Sequence, residues 1–424
     1  MFNKIKKHTW FLSLAVPFLA VVFYLLYKSN VPTTSFDIDE ADYMYSFEKG
    51  FAAHYFDKNA VPFMSFVKIG LLAGMKSDKQ TELSRMIRSA DDITFYRHFH
   101  GPLFFYYMIF GERFVGKNER AIRTVSLLLQ FICSIVVLIG CLFLPGIRYG
   151  RSVSLLTSLL VLLSPTLFFT VSLISPHGMF VVWCMVSLFI MMRAVDTRNQ
   201  RLFYVSVASI AVTFLTTVHA VLLLLCWVIC VIAVYRKNKN AFRDIRRLIV
   251  ISFIIFGGII TVLWPAAFLK MSLIKSDMWV GYIGFIRVHM LASQPLWAFW
   301  WNRIAASPVE YGIIAFGVTI TAYCLIGKKK ISLLPVFSYL VLIMLMEARH
   351  VATVPTYVSS LAAVGIVASG IALPVVFEKR AWVPVGILSL MCIGLFVHLR
   401  FYYLPQQKLP AETIRTEITA FLKK

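Results

Sequence analysis

Uninterrupted apolar runs constrain this chain more than anything else in it. Several reach about 18 residues or more, and about 20 helical residues cross the hydrocarbon core of a bilayer. The runs fall near residues 10–27, 121–145, 152–173, 177–192, 202–218, 220–235, 248–268, 308–327, 331–346, 351–376 and 382–399. By span length that makes about eleven crossings. Of the 424 residues, 59% are hydrophobic and only 15% charged, whereas a soluble domain carries about 25% charged residues. The sequence therefore describes an all-α polytopic integral membrane protein.

The net charge is +22. In a soluble protein that would suggest nucleic acid. Here most of the charge lies in short connections between spans, so it reads as topology, with no nucleic-acid partner. One alternating set of connections holds Arg148 and Arg151, then Arg193, Arg198 and Arg201. It continues with Arg236, Lys237, Lys239, Arg243, Arg246 and Arg247, then Lys328, Lys329 and Lys330, then Lys379 and Arg380. The opposite set holds almost none in its short loops. The basic set is expected on the cytoplasmic side. Outside then lie a long first loop (28–120), the 174–177 turn, a hinge at 219, a second loop (269–306), the 347–350 turn and the C-terminal tail. This alternation closes only if residues 102–115 do not cross. That run is about 14 residues long and suits the outer interface better.

The first span, 10–27, follows a basic stretch (Lys4, Lys6, Lys7) and precedes Val31-Pro32 without a clear small-residue cleavage site. It reads as a retained anchor. Within the first loop, Tyr43, Phe47, Phe51 and Tyr55 recur every four residues, the pattern of an amphipathic helix resting on the membrane surface. A second such piece spans 61–75. In the second loop Lys270, Lys275, Arg287, His289 and Arg303 lie among Trp279, Trp297, Trp300 and Trp301, as in segments that lie on lipid head groups. Residues 1–404 are expected to form one transmembrane domain, and 405–424 a short external tail with no large soluble domain. All seven cysteines lie inside apolar runs, and there is no CxxC or HExxH, so neither a zinc site nor a disulfide framework is indicated. No nucleotide-binding glycine loop is present.

The densest chemistry is Phe36-Asp37-Ile38-Asp39-Glu40-Ala41-Asp42-Tyr43, just beyond the first span. On its own, Asp39 fits a helix N-cap and Glu40 a first-turn charge. Its company points further, because the other unexplained polar residues fall on the same expected face. A carboxylate there can take a proton from an attacking hydroxyl, or help hold a divalent cation. Arg97-His98-Phe99-His100-Gly101-Pro102-Leu103, followed by Glu119 and Arg123, is either an interfacial loop attracted to head groups or a phosphate-binding cluster. His177 in Ser175-Pro176-His177, His219, and Arg349-His350 stand at outer helix ends. Each alone fits an ordinary helix-end hydrogen bond, but ionisable groups in such places usually mark a polar cavity.

The order of these motifs resembles the GT-C glycosyltransferases of the dolichyl-phosphate-mannose protein mannosyltransferase and lipid A aminoarabinose transferase type. That family has Asp-Glu-x-x-Tyr after the first span, here Asp39-Glu40-Ala41-Asp42-Tyr43. It then has His-Pro-Pro-Leu and Phe-Gly-x-x-Glu with an Arg, here His100-Gly101-Pro102-Leu103, Val115-Gly116-Lys117-Asn118-Glu119 and Arg123. Ser175-Pro176-His177 stands where Arg-Pro-Tyr or an Asp is common. Thr217-Val218-His219 matches a hinge, and Arg349-His350 with Pro355 a late motif.

The resemblance implies a GT-C fold and a transferase using a polyprenyl-phosphate-linked sugar. Its active site would face the periplasm or exterior, the setting being a bacterial inner membrane. Asp39 would be the base or acceptor-orienting carboxylate, with Glu40 beside it. Tyr43, Arg97, His100, Arg123, His177, His219, Arg349 and His350 would contact substrate, the cationic ones holding the donor phosphate. The acceptor would be a lipid, glycan or protein. No cofactor is implied beyond the optional divalent metal.

Two other classes fit the hydropathy. A lipid or sugar transporter would favour inverted repeats and acids near mid-bilayer in broken helices, and the sequence displays neither. A non-catalytic relative in an envelope-glycan assembly complex would keep the fold without the activity.

Overall fold

The computed structural model of the chain describes residues 2–28, 101–116, 118–144, 150–236, 241–264, 296–347 and 358–404. Among them there is helix and connection but no strand. The helices are α1 (Phe2–Tyr27), α2 (Leu103–Val115), α3 (Glu119–Phe143), α4 (Gly150–Leu162), α5 (Pro165–Ser172), α6 (Pro176–Thr197) and α7 (Gln200–Phe214). A 3-10 turn, Val218–Ala220, leads into α8 (Val221–Tyr235), then α9 (Ala241–Leu263), α10 (Leu296–Ala306) and α11 (Pro308–Ile326). The described chain closes with α12 (Leu334–Glu347), α13 (Ser359–Val376) and α14 (Trp382–Val397), which runs into a π-helical turn, His398–Tyr403.

Local sequence sets the helix starts. Asn118 accepts a hydrogen bond from the N–H of Ala121 at 2.8 Å, and Asn199 accepts one from Arg201 at 2.9 Å. Three Ser-Pro pairs, Ser164-Pro165, Ser175-Pro176 and Ser307-Pro308, stand where α5, α6 and α11 begin. Proline at the first helical position wastes no hydrogen bond, and serine before it can cap the next free N–H groups.

Seven of the described helices are long and apolar enough to cross a membrane, or eight spans if the bent pair α4 and α5 counts as one. The apolar helices Gln200–Phe214, Val221–Tyr235 and Ile331–Leu345 are shorter. Fifteen residues of α7 or α8 reach about 22 Å at 1.5 Å per residue, less than the ~30 Å hydrocarbon core. The expected eleven apolar stretches thus all contain helix, but length alone does not make each a full crossing.

The core is built around α13, buried from Ser359 through Pro374, with α6 almost as enclosed. Close approach of α11 to α13 depends on Gly317, where a Cβ would stand 2.2 Å from the Gly365 carbonyl oxygen. Small residues at such crossings let helices pack where lipid offers no hydrophobic incentive. At the periphery, α1 and α9 expose Leu14, Leu25, Phe253, Ile254 and Val262. So much exposed apolar surface suits contact with acyl chains.

One expectation needs correction. The apolar run 152–173 is not a single helix: α4 and α5 meet at a 52° bend. Pro165 is the cause, since it lacks an N–H and disfavours helical geometry at the residue before it. A helix break of the kind expected of transporters is therefore present.

The two ends of the bundle differ in chemistry. At one, Arg151 donates from Nε to His8 Nδ1 at 3.4 Å and covers the Trp10 ring at 4.6 Å, while Tyr235 donates to the Arg198 carbonyl at 3.3 Å. At the other, Arg120 donates to the Lys28 carbonyl at 3.3 Å, and α2 is laid against the tops of α3 and α7. Tyr107 of α2 donates to the Val125 carbonyl at 2.7 Å.

Candidate functional site

The candidate site is assembled at that second end from three connections. The first is the turn between α5 and α6. Arg123, on the first turns of α3, is 1% exposed and donates from Nη1 to the Ser172 carbonyl at 3.1 Å. One helical turn on, Ser126 donates to the Leu173 carbonyl at 2.9 Å. Helix α5 ends at Ser172, so these two side chains take carbonyls that the helix end would leave without partners. The same turn leads through Ser175, whose Oγ accepts from the His177 N–H at 3.3 Å, to His177 itself, buried in the first turn of α6.

The second connection is the hinge between α7 and α8. Thr217 Oγ1 accepts from the His219 N–H at 3.2 Å and lies 3.2 Å from His219 Nδ1. The His219 ring faces His177, centroids 5.8 Å apart, and Phe180 at 6.1 Å. His219 keeps part of its surface exposed, but the protein crowded around it disfavours imidazolium and lowers its pKa to about 4. At neutral pH it is a hydrogen-bonding group, not a cation.

The third connection carries the end of the His100-Gly101-Pro102-Leu103 motif. Leu103 donates its N–H to the Leu215 carbonyl at 3.0 Å. Gly101 lies so close to the hinge that a Cβ there would stand 2.2 Å from the Leu215 oxygen. The glycine that replaces the first proline of the family pattern is thus matched to its surroundings, because nothing larger fits.

Of the residues singled out from sequence, Arg123, His177 and His219 are brought to one end of the bundle, His177 directly against His219. Asp39, Glu40, Tyr43, Arg97, His100, Arg349 and His350 lie outside the described residues, as do the amphipathic stretches expected in the first loop, residues 265–295 and the tail. Among the described residues no three His, Cys, Asp or Glu side chains gather as a metal site.

One buried acid escaped the sequence reading. Glu310, in the first turn of α11, is fully buried. Its Oε1 accepts from Ser164 Oγ at 2.5 Å, and its Oε2 accepts from Thr166 Oγ1 at 2.5 Å and from the Thr166 N–H at 3.3 Å. The signal was there: a lone acid near the end of an apolar span marks a polar site by default. On the other side of the bend, Tyr27 OH donates to the Leu162 carbonyl at 2.6 Å, and Gln130 Nε2 donates to the same oxygen at 2.9 Å and to the Ser164 carbonyl at 3.3 Å. Leu167 N–H returns to Ser164 Oγ at 3.1 Å. The backbone groups freed by the break are thus satisfied by side chains of α1, α3 and α11, as a helix interrupted inside a membrane requires.

Residues 99–264 match the family described as dolichyl-phosphate-mannose-protein mannosyltransferase, beginning just before His100 and leaving the Asp39 motif outside. The chain is similar to ArnT from Cupriavidus metallidurans in the apo state, with 16% identity and a TM-score of 0.55 over 94% of this chain and 74% of that one. It is similar to the same protein bound to undecaprenyl phosphate, with 15% identity, a TM-score of 0.55 and the same coverage. A match to the Archaeoglobus fulgidus oligosaccharyltransferase complex with Zn and sulfate has 11% identity and a TM-score of 0.45, covering 73% of this chain and 44% of that one. The chain therefore spans less than half the length of the archaeal protein. No curated protein sequence matches it. The family match over residues 99–264 and the ArnT-like fold agree with the resemblance read from the motifs.

Proposed function

We propose that this protein transfers a sugar from a polyprenyl-phosphate donor to a lipid, glycan or protein acceptor. The reaction would take place on the non-cytoplasmic face of the membrane, a bacterial inner membrane. Residues 1–404 form the catalytic domain in this reading, and 405–424 a tail. The observation that carries it is the gathering of Arg123, the His177/His219 pair and the 101–103 segment at one end of an ArnT-like bundle. The opposite end holds Arg151 and Arg198, which favours that end as cytoplasmic. The ArnT comparison with undecaprenyl phosphate supports a lipid monophosphate as the donor's carrier.

In this reading an acceptor hydroxyl attacks the anomeric carbon and gives its proton to Asp39, with Glu40 beside it. The bond from that carbon to the phosphate oxygen breaks, and the electron pair leaves with the polyprenyl phosphate. A single displacement of this kind inverts the anomeric centre. Arg97, Arg123 and Arg349 stabilise the negative charge on the departing phosphate, with His100, His177, His219 and His350 as hydrogen-bonding partners and Tyr43 facing the substrate. The apolar tail supplies affinity at about 0.8 kcal/mol per buried CH₂.

The test is sugar transfer by the full-length protein and its Asp39→Asn variant, with envelope glycans and lipids compared by mass spectrometry in cells with and without the protein. A lost glycan species and an inactive but folded Asp39→Asn variant are expected. Full activity in that variant removes Asp39 from the mechanism. The 52° bend beside a buried acid favours one second reading, a lipid transporter. Labelled lipid that moves across proteoliposomes with no new glycosidic bond would establish it instead.

A further inference from the structure

Both carboxylate oxygens of Glu310 are already engaged, by Ser164 and Thr166. Its partners matter more than its charge. Ser164 is the cap of α5, and Thr166 supplies one of that helix's first free N–H groups. A carboxylate at a helix N-terminus is favoured by both the free donors and the helix dipole. Helix α5 is only eight residues long, about 12 Å at 1.5 Å per residue, and it is cut off from α4 by the bend. Its direction is therefore set by what grips its two ends. Glu310 grips the first. At the other, the carbonyls of Ser172 and Leu173 receive Arg123 and Ser126.

We propose that Glu310 is a positioning residue: by anchoring the N-terminus of α5 it holds the Ser172 carbonyl where Arg123 docks, and so aims the guanidinium that receives the donor phosphate. The proposal rests on the reading of Arg123 as a phosphate ligand. Its mechanical half, from Glu310 to Arg123 through α5, stands apart from any ligand. A carboxyl group serves because two hydroxyls and an N–H converge on its two oxygens. Glu310→Gln keeps one acceptor oxygen and should hold part of the geometry, whereas Glu310→Ala releases the helix.

Two measurements on the full-length protein in detergent test this. In hydrogen exchange, Glu310→Ala should speed exchange in residues 164–173 and 121–126 while α6 and α13 stay protected. Thr166→Val, which removes one hydroxyl donor only, should do the same to a smaller degree and serves if Glu310→Ala does not fold. Exchange unchanged in 121–126 would overturn the mechanical link. In binding of undecaprenyl phosphate, Arg123→Ala and Glu310→Ala should each weaken affinity by about tenfold, ~1.4 kcal/mol. The double variant should be no worse than either alone, and Glu310→Gln should fall between. Losses that multiply in the double variant would overturn the proposal, since residues acting through one another are not additive. Wild-type affinity in Arg123→Ala, with exchange still altered by Glu310→Ala, would sink the reading of Arg123 and leave the positioning intact.

Discussion

Leu103 and Leu215, over a hundred residues apart in sequence, are joined by a 3.0 Å backbone hydrogen bond, N–H of the former to C=O of the latter. That bond pins the end of the His100-Gly101-Pro102-Leu103 motif to the hinge that carries His219. It also explains why the chain has glycine at 101, where only 2.2 Å separates an added Cβ from the Leu215 oxygen.

Replacing Gly101 with alanine should therefore force the motif off the hinge. The expected cost is that of overpacking, about 1–3 kcal/mol, read as a lowered melting temperature in detergent. Gly101→Pro, which restores the family's letter, should do more damage, because the obstructing atoms are backbone. A Gly101→Pro protein as stable as wild type would refute the close-approach argument.

The pH dependence of stability should carry a mark of His219. Its folded pKa is lowered to about 4, against about 6.5 unfolded. Between those values the unfolded chain binds the extra proton, so stability rises with pH from 4 to 6.5 and that contribution is complete above 6.5. Melting curves of wild type and His219→Gln across this window check the sign. The variant should show a shallower slope, and an unchanged slope would remove His219 as its source.

The Leu162 carbonyl receives two donors, Tyr27 OH and Gln130 Nε2. Tyr27→Phe should cost about 1 kcal/mol, the net worth of one hydrogen bond, and Gln130→Leu more, because its Nε2 also donates to the Ser164 carbonyl. The double variant should cost more than their sum, because the carbonyl is then buried without a side-chain donor, a penalty of about 1–3 kcal/mol. Thermal unfolding of the four proteins gives the comparison, and simple additivity would contradict shared satisfaction.

Arg123→Lys keeps the charge but loses the planar fork that, in the proposed reading, reaches the Ser172 carbonyl and the donor phosphate together. The Michaelis constant for a polyprenyl-phosphate sugar should rise about tenfold, with a smaller change in kcat. Wild-type kinetics in this variant would show that only charge matters at 123.

Three residues at the polar end of the bundle are legible in the sequence. Arg123, His177 and His219 were found because ionisable residues at the ends of apolar spans are costly and therefore conspicuous. Glu310 was passed over because it sits just inside an apolar run whose average hides one acid. The bend at Ser164 was missed for the same reason: the run 152–173 stays apolar through Pro165, and hydropathy does not register a missing N–H. Asp39, Glu40, Tyr43, Arg97, His100, Arg349 and His350 lie outside the described residues.

What the sequence determined by itself is the helical membrane architecture and the segregation of basic connections, because both follow from transfer energies that act residue by residue. Only the tertiary structure decided that His177 faces His219, that Gly101 lies on Leu215 and that Glu310 grips the start of α5. Those are contacts between segments tens to hundreds of residues apart, fixed by how whole helices pack, and no local run of letters encodes them.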